Sequence, residues 1–326
     1  MKEILKVENL KMHFPVKGGV LLKTVGACRA VDGVSLSISQ GETLGLVGES
    51  GCGKSTLGKC MVRLLNPTEG KVIFNGHDIT TMHRKEMLPL RRDMQMIFQD
   101  PAESLNSRHT VGGILEEPYI IHKIGDRIER LRKIDRVLER VGLSSNAKDK
   151  FPFEFSGGQR QRIGIARAIA LRPKLLICDE PVSALDVSVQ SQVLNLMMEL
   201  QNDLNLSYLF IAHDLAVVRH VSDRVAIMYL GKIVEIADAD SIYQNPRHAY
   251  TKALISAIPV PDPSVNREMT YLEGDVPSPI DPPEGCAFGH RMGHPRWEDS
   301  ISADLSLREI EPGHWVQPCP CCTDLG

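Results

Sequence analysis

The sequence predicts an α/β fold: a mostly parallel sheet clad by helices, preceded by an antiparallel β subdomain, interrupted by an α-helical subdomain and followed by a small C-terminal extension. Three observations carry this. After residue 172, short apolar runs alternate with amphipathic stretches, as in "LLICDE", "VQSQVLNLMMELQNDL" and "SYLFIAHD". A glycine-rich loop, "VGESGCGKST" at residues 47–56, stands between an apolar run and a helical pattern. Beyond residue 258, the proline-rich "PVPDP" and "VPSPIDPPEG" mark extended linker and a tail too small to hold much core by itself. The expected division is therefore 1–258, with the helical subdomain over about 84–172, and 259–326.

Taken in order, residues 3–47 alternate "ILKVENL", "AVDGVSLSI" and "TLGLV" with the turns "KGG" and "SQGE", a pattern of antiparallel strands leading into the strand before the loop. "STLGKCMVRLL" has helical periodicity and stops at "NPTEG", and "KVIFNG" reads as a further strand. The charges of "RIERLRKIDRVLERVGL" read as the solvated face of a packed helix. "LLICDE" is almost wholly apolar before its acidic end, as a strand covered on both faces should be. "LAVVRHV" reads as a helix, and "RVAIMYLGKIVEI" as two strands joined through a Leu-Gly turn.

Composition narrows the function classes. The 326 residues are 42% apolar and 24% charged with a net charge of −3, which fits a globular protein and argues against an electrostatically driven nucleic-acid binder. No apolar run approaches the roughly 18 residues of a spanning helix, and "MKEILKVENL" lacks the pattern of a signal peptide. Of eight cysteines, Cys28, Cys52, Cys60 and Cys178 are scattered, whereas Cys286, Cys319, Cys321 and Cys322 sit in the tail. They read as reduced cytosolic thiols, the tail group being a candidate metal site.

The loop fits G-x-x-x-x-G-K-S, with Gly48, Ser50, Gly51, Cys52, Gly53, Lys54, Ser55 and Thr56 as candidate phosphate contacts. Small residues let successive N–H groups converge on one anion, and the following helix start adds donors and partial positive charge. Lys54 would reach the β and γ phosphates, and the Ser55 hydroxyl would face Mg²⁺. Standing alone, the pattern also suits a glycine-rich turn that merely caps a helix. Cys52, at a helix N-terminus, is expected to be an acidified, reactive thiol. In "LLICDE", Asp179 at a strand end could hold Mg²⁺ through water, and Glu180 could orient or deprotonate an attacking water. In "EFSGGQRQRIGIARAIA", Ser156, Gly157, Gly158 and Gln159 open a second helix whose start is bared for an anion. One nucleotide cannot easily use both loops of one chain, but a second, facing copy could supply the missing half.

A P-loop, "SGGQ" just upstream of "LLICDE", and the "SALD" after it together resemble the nucleotide-binding subunit of an ATP-binding cassette (ABC) transporter. That resemblance implies a P-loop NTPase core that hydrolyses ATP with Mg²⁺ as a dimer. It implies that Gln99 in "MIFQDP" touches Mg²⁺ and the attacking water, that Asp186 in "SALD" communicates between subunits, that His213 in "IAHD" contacts the γ-phosphate and that Phe14 stacks on adenine. Residues 100–118 would contribute to a groove for a permease helix.

Phe155 where leucine is commonest, together with "RHAYTKALISAIP", "GDVPSPIDPPEGCAF" and "PGHW", resembles the dipeptide/oligopeptide (peptide/nickel) importer branch, most like the second ATPase of such pairs. The branch implies a paralogous second ATPase subunit, two transmembrane permease subunits, an extracytoplasmic substrate-binding protein, no nucleic acid, and a peripheral place on the cytoplasmic face of the inner membrane. Nickel chelates or sugars are alternative cargoes, and a soluble non-transport ABC ATPase is the rival class. Relatives often carry cysteines for an iron-sulfur cluster; here Met292 takes one such position, and Cys286, Cys319, Cys321 and Cys322 remain as candidate ligands beside the reading of a metal-free tail.

Overall fold

A computed structural model describes residues 2–18, 23–258 and 274–323, so the "PVPDP" linker expectation lies outside the described residues. They fall into two compact units.

Unit one takes the described residues of Met1–Leu5, Ile38–Glu42 and Phe74–Ile211. At its centre the strands Met94–Ile97, Leu175–Asp179 and Ser207–Ala212 run parallel, with Ile97 beside Cys178 and Cys178 beside Phe210. Leu175–Asp179 is buried along its whole length, as the unbroken apolar run requires. Met94–Ile97 is a strand inside the region expected to be helical. Its "MQMI" lacks β-branched side chains except at its last residue, so pairing with Leu175–Asp179, rather than local propensity, makes it extended. Helix Arg127–Arg140 buries Ile134 and Leu138 and leaves most of its charges in water, and the Asp126 carboxylate accepts the Glu129 N–H at 2.8 Å as its N-cap. Helix Gly157–Ile169 buries Ile163, Ile165, Ala166, Ala168 and Ile169, the small apolar face read from "IGIARAIA".

Unit two takes Lys6–Ser37, Thr43–Ile73 and the described residues of Ala212–Gly326. Strand Thr43–Val47 pairs in parallel with Arg224–Tyr229, setting Val47 beside Ile227, so the glycine-rich loop leaves from the carboxyl end of a parallel strand. That is where open α/β sheets place their ligands. Arg224–Tyr229 turns at Leu230 (φ +41°) and Gly231 (φ +78°) into the antiparallel Lys232–Asp238, a two-residue turn with both residues left-handed. Most of Glu3–Gly18, Lys23–Ser39 and Glu69–Phe74 also lies here, with Glu3–Gly18 between the other two.

The tail does more than its size suggested. His314–Val316 pairs antiparallel with Lys232–Asp238, and Arg308–Glu311 pairs with His314–Val316. The His314 ring nitrogen Nε2 meets the fully buried Glu235 carboxylate at 2.8 Å, which explains "PGHW" as an anchor for this hairpin. Burial alone would raise Glu235, but His314 and the N–H groups of Arg247 and His248 prevail and hold it below the usual carboxylate range.

Candidate nucleotide site and tail thiol cluster

The glycine-rich loop and the helix Lys54–Met61 lie in unit two. Two of its glycines are required by space. A Cβ at Gly48 would stand 2.1 Å from the Met228 carbonyl oxygen, and one at Gly53, whose φ is +106°, would stand 1.9 Å from the Ala30 carbonyl oxygen. Gly53 is the N-cap and, being glycine, makes no side-chain cap hydrogen bond. The early N–H groups of the helix therefore gain no cap from Gly53 itself. Lys54 is 4% exposed and donates to the carbonyl oxygens of Gly48 (2.7 Å) and Glu49 (2.9 Å), so the ammonium spans the loop. Ser50 and Gly51 are exposed, and Ser55 and Thr56 are half-buried.

Cys52 departs from expectation. Its thiol is 3% exposed; burial, the largest influence, pushes it up, and the Lys54 ammonium opposes that without overcoming it. Phe14 sits on Glu3–Gly18 with its ring 37% exposed, and His213 is exposed just before Asp214, which caps helix Leu215–Val221.

Sequence reasoning missed the supports of the loop. The Tyr250 hydroxyl accepts the Glu49 N–H at 2.9 Å, and Arg291 from the tail donates to the Glu49 carboxylate at 2.8 Å. Phe288, one helical turn before Arg291, lies 5.3 Å from Tyr250 and 5.5 Å from Tyr229 between ring centroids. Such aromatic pairs contribute about 0.5–1.5 kcal/mol each beyond area burial. Tyr250 and Arg291 lie 200 residues or more along the chain from Glu49, so no local signal could have paired them.

Unit one brings the two carboxylates, the glutamine and the second helix start into one unit. Asp179 ends its strand 3% exposed, and Glu180 follows at φ +44°, a left-handed backbone that is costly for a side chain with a Cβ. The Glu180 N–H donates to Ile211 O at 3.0 Å, and Gln99 Nε2 donates to Glu180 Oε2 at 2.9 Å. The Ser156 hydroxyl accepts the Gln159 N–H at 3.3 Å while Gln159 Oε1 accepts the Ser156 N–H at 3.0 Å, a reciprocal capping box. Gly157 is exposed, and Gly158 is held small by Val189, whose Cγ1 is 2.4 Å from where its Cβ would stand. Asp186 caps that same neighbour, accepting the Val189 N–H at 3.0 Å, and the Ser188 hydroxyl hydrogen bond lowers its carboxyl. Phe155 is only 9% exposed, consistent with an apolar packing role.

In the tail, Cys286, Cys319, Cys321 and Cys322 converge, their sulfurs all within 4.8 Å of one another. Met292 is 37% exposed. Among the described residues no helix is long and apolar enough to cross a membrane.

Comparison with known proteins shows the family. A family model described as "ABC transporter" matches residues 31–183, and one described as "Oligopeptide/dipeptide transporter, C-terminal region" matches residues 234–294. The chain is 50% identical over 318 residues to the oligopeptide transport ATP-binding protein AppF of Bacillus subtilis, covering 96% of each. It is 52% identical over 325 residues to the oligopeptide transport ATP-binding protein OppF of Salmonella typhimurium, covering 95% of this chain and 97% of that one. Among solved structures it resembles cbiO1 of Clostridium perfringens, part of the ABC transporter complex cbiONQ, at TM-score 0.64 and 28% identity over 75% of this chain and 92% of that one. It also resembles the dimeric post-hydrolysis cassette MJ0796 bound to ADP and Pi, at TM-score 0.65 and 27% identity over 72% of this chain and 98% of that one. Loop, signature helix and tail thus belong to one lineage: the chain is a member of the ABC transporter family, in the branch that carries the oligopeptide/dipeptide transporter C-terminal region.

Proposed function

We propose that this chain is the ATP-hydrolysing subunit of an importer of di- or oligopeptides, working peripherally at the cytoplasmic face of the membrane. The hydrogen bond from Gln99 to Glu180 at 2.9 Å carries the hydrolytic part, because it couples a candidate water-positioning amide to a candidate base at the end of a parallel strand. The cargo rests on the relatives named as oligopeptide transport ATP-binding proteins. Nickel chelates and sugars remain outcomes of the test.

In this reading the loop amides of residues 48–56 and the Lys54 ammonium hold the phosphates, Phe14 stacks on the adenine, and Ser156, Gly157, Gly158 and Gln159 of a facing cassette close on the γ-phosphate. Glu180 takes a proton from the attacking water, Gln99 orients it, and His213 contacts the γ-phosphate. Asp186, which caps the residue packed on Gly158, passes the closed state between the facing cassettes. The half-buried Ser55 hydroxyl and the buried Asp179 carboxylate are hard oxygen donors that suit Mg²⁺ directly and through water. When bound, Mg²⁺ neutralises charge on the transferring phosphoryl group. Losing the shared γ-phosphate removes what both cassettes grip, and the dimer opens.

The partners in this proposal are a second, paralogous ATPase subunit, two permease subunits of which one helix meets residues 100–118, and an extracytoplasmic binding protein. A cassette of residues 1–258, with the helical part over about 84–172, and an extension of 259–326 belong to the same proposal. The iron-sulfur cluster implied by the branch fits less well: each iron of a cubane turns its own thiolate outward, away from the others, whereas the four tail sulfurs crowd together.

Glu180→Gln tests the reading. Hydrolysis should fall about 10²–10⁴-fold while ATP-dependent pairing of cassettes persists; unchanged turnover would refute Glu180 as the base. Uptake of labelled oligopeptide against nickel chelate and sugar, in vesicles holding the whole transporter, decides the cargo.

A further inference from the structure

We propose that Cys286, Cys319, Cys321 and Cys322 form a closed mononuclear zinc site, with the four thiolates arranged as a tetrahedron around a single ion.

Distance is the first argument. Four sulfurs at about 2.3 Å from one zinc ion stand about 3.8 Å from each other. Here Cys319 and Cys321 are 3.1 Å apart, Cys286 and Cys322 are 3.5 Å apart, as are Cys321 and Cys322, and all four sulfurs lie within 4.8 Å of one another. These separations bracket the edge of one such tetrahedron, and they are too tight for four thiolates each bound to its own corner of a cubane.

The surroundings are built to this size. A Cβ on Gly289 would lie 2.3 Å from Cys321 Sγ and 3.5 Å from both Cys321 Cβ and Cys322 Sγ, so the glycine leaves room that these two cysteines use. The Gly289 N–H donates to Cys286 Sγ at 3.3 Å, the kind of amide support that steadies a metal-bound thiolate. The Cys286 N–H is held by the Ser300 hydroxyl at 2.8 Å and the Cys319 N–H by Thr323 Oγ1 at 3.3 Å, which fixes the backbone on both sides. Cys286, Cys319 and Cys322 are buried, as in structural rather than catalytic zinc sites. With four protein donors and no open position, zinc would displace the thiol protons to solvent and hold the start of helix Ala287–Arg291 against the turn at residues 319–322. The proposal is independent of the ATPase reading, because nothing in it uses nucleotide.

The whole chain, purified without added metal, tests it by elemental analysis and X-ray absorption. One zinc per chain with four sulfur ligands near the distance above is expected, and the protein should be colourless. Exchange with Co²⁺ should give the intense visible bands of a tetrahedral tetrathiolate. Cys321→Ser and Gly289→Ala should each lose zinc on dialysis, while Cys28→Ser, outside the cluster, should keep it. If the first two fail to fold, mercurial titration of the unaltered chain should release one zinc as four thiols react. Brown protein with iron and acid-labile sulfide, a single iron in place of zinc, a disulfide within residues 319–322, or four titratable thiols with no metal would each overturn the proposal.

Discussion

Two helix starts in this molecule, both proposed above to meet an anion, are made in opposite ways. Lys54–Met61 begins at a left-handed glycine with no side-chain cap. Gly157–Ile169 begins at Ser156 with a complete capping box, its first turn already held by Gln159. The first is shaped by backbone that has no room for a Cβ, the second by side chains that stabilise the helix whether or not a ligand is near. The first should therefore fail through geometry and the second through chemistry.

The largest expected effect tests the first start. Gly53→Ala would drive a Cβ into the Ala30 carbonyl at a φ of +106° and should abolish nucleotide binding. Lys54→Ala should leave the fold intact and lower ATP turnover by about 10²-fold or more. Equilibrium nucleotide binding and steady-state hydrolysis check the pair, and a Gly53→Ala chain that bound normally would break the contrast. Next, Ser156→Ala should lose about 1 kcal/mol of stability, together with ATP-dependent pairing of cassettes. Ser156→Asp should recover the stability, since aspartate caps as well as serine, but not the hydrolysis, because its charge would face phosphate. Thermal melts beside turnover separate the roles; full activity in Ser156→Asp would reduce this residue to a cap.

An effect on stability alone, with no loss of cassette pairing beyond it, separates Gly157 from Gly158. Gly158→Ala meets Val189 and should cost about 1–3 kcal/mol, whereas a Cβ on Gly157 would meet Leu185 Cδ2 at an ordinary 3.7 Å, so Gly157→Ala should change the melting temperature little. The smallest concerns Cys52. With its thiol pushed up by burial, alkylation near pH 7 should be slower than for an ordinary cysteine and should keep accelerating beyond pH 9, past the usual thiol pKa of about 8.5. Mass spectrometry with and without MgATP reads this, and rapid labelling at neutral pH would restore the acidified thiol.

These cases show what a sequence can carry. Gly53 and the Leu230–Gly231 turn were legible because a left-handed backbone is demanded locally, and Gly48 was legible only through the spacing of the loop motif, since the Met228 carbonyl that excludes its Cβ lies far along the chain. Leu175–Asp179 was legible because burial on both faces writes itself into five consecutive residues. Met94–Ile97 was not, since its extension depends on a partner strand some 80 residues on. Nor were the tail strands Arg308–Glu311 and His314–Val316, whose half-exposed pattern is weak and whose placement depends on Lys232–Asp238 and the buried Glu235. The four tail cysteines were visible as a group, but their convergence brings Cys286, the N-cap of helix Ala287–Arg291, to a turn more than 30 residues on and could not be read from the chain. For Cys52 the helix-start argument weighs a dipole and omits how deeply the residue is packed, and burial works the other way.

Glu49 is gripped at both its amide and its carboxylate, by Tyr250 and Arg291. A turn clamped in this way arrives at an incoming ligand already in shape, so little affinity is spent on ordering it. Loosening either clamp should therefore show first as slower, weaker capture of nucleotide, with the chemical step itself left unchanged.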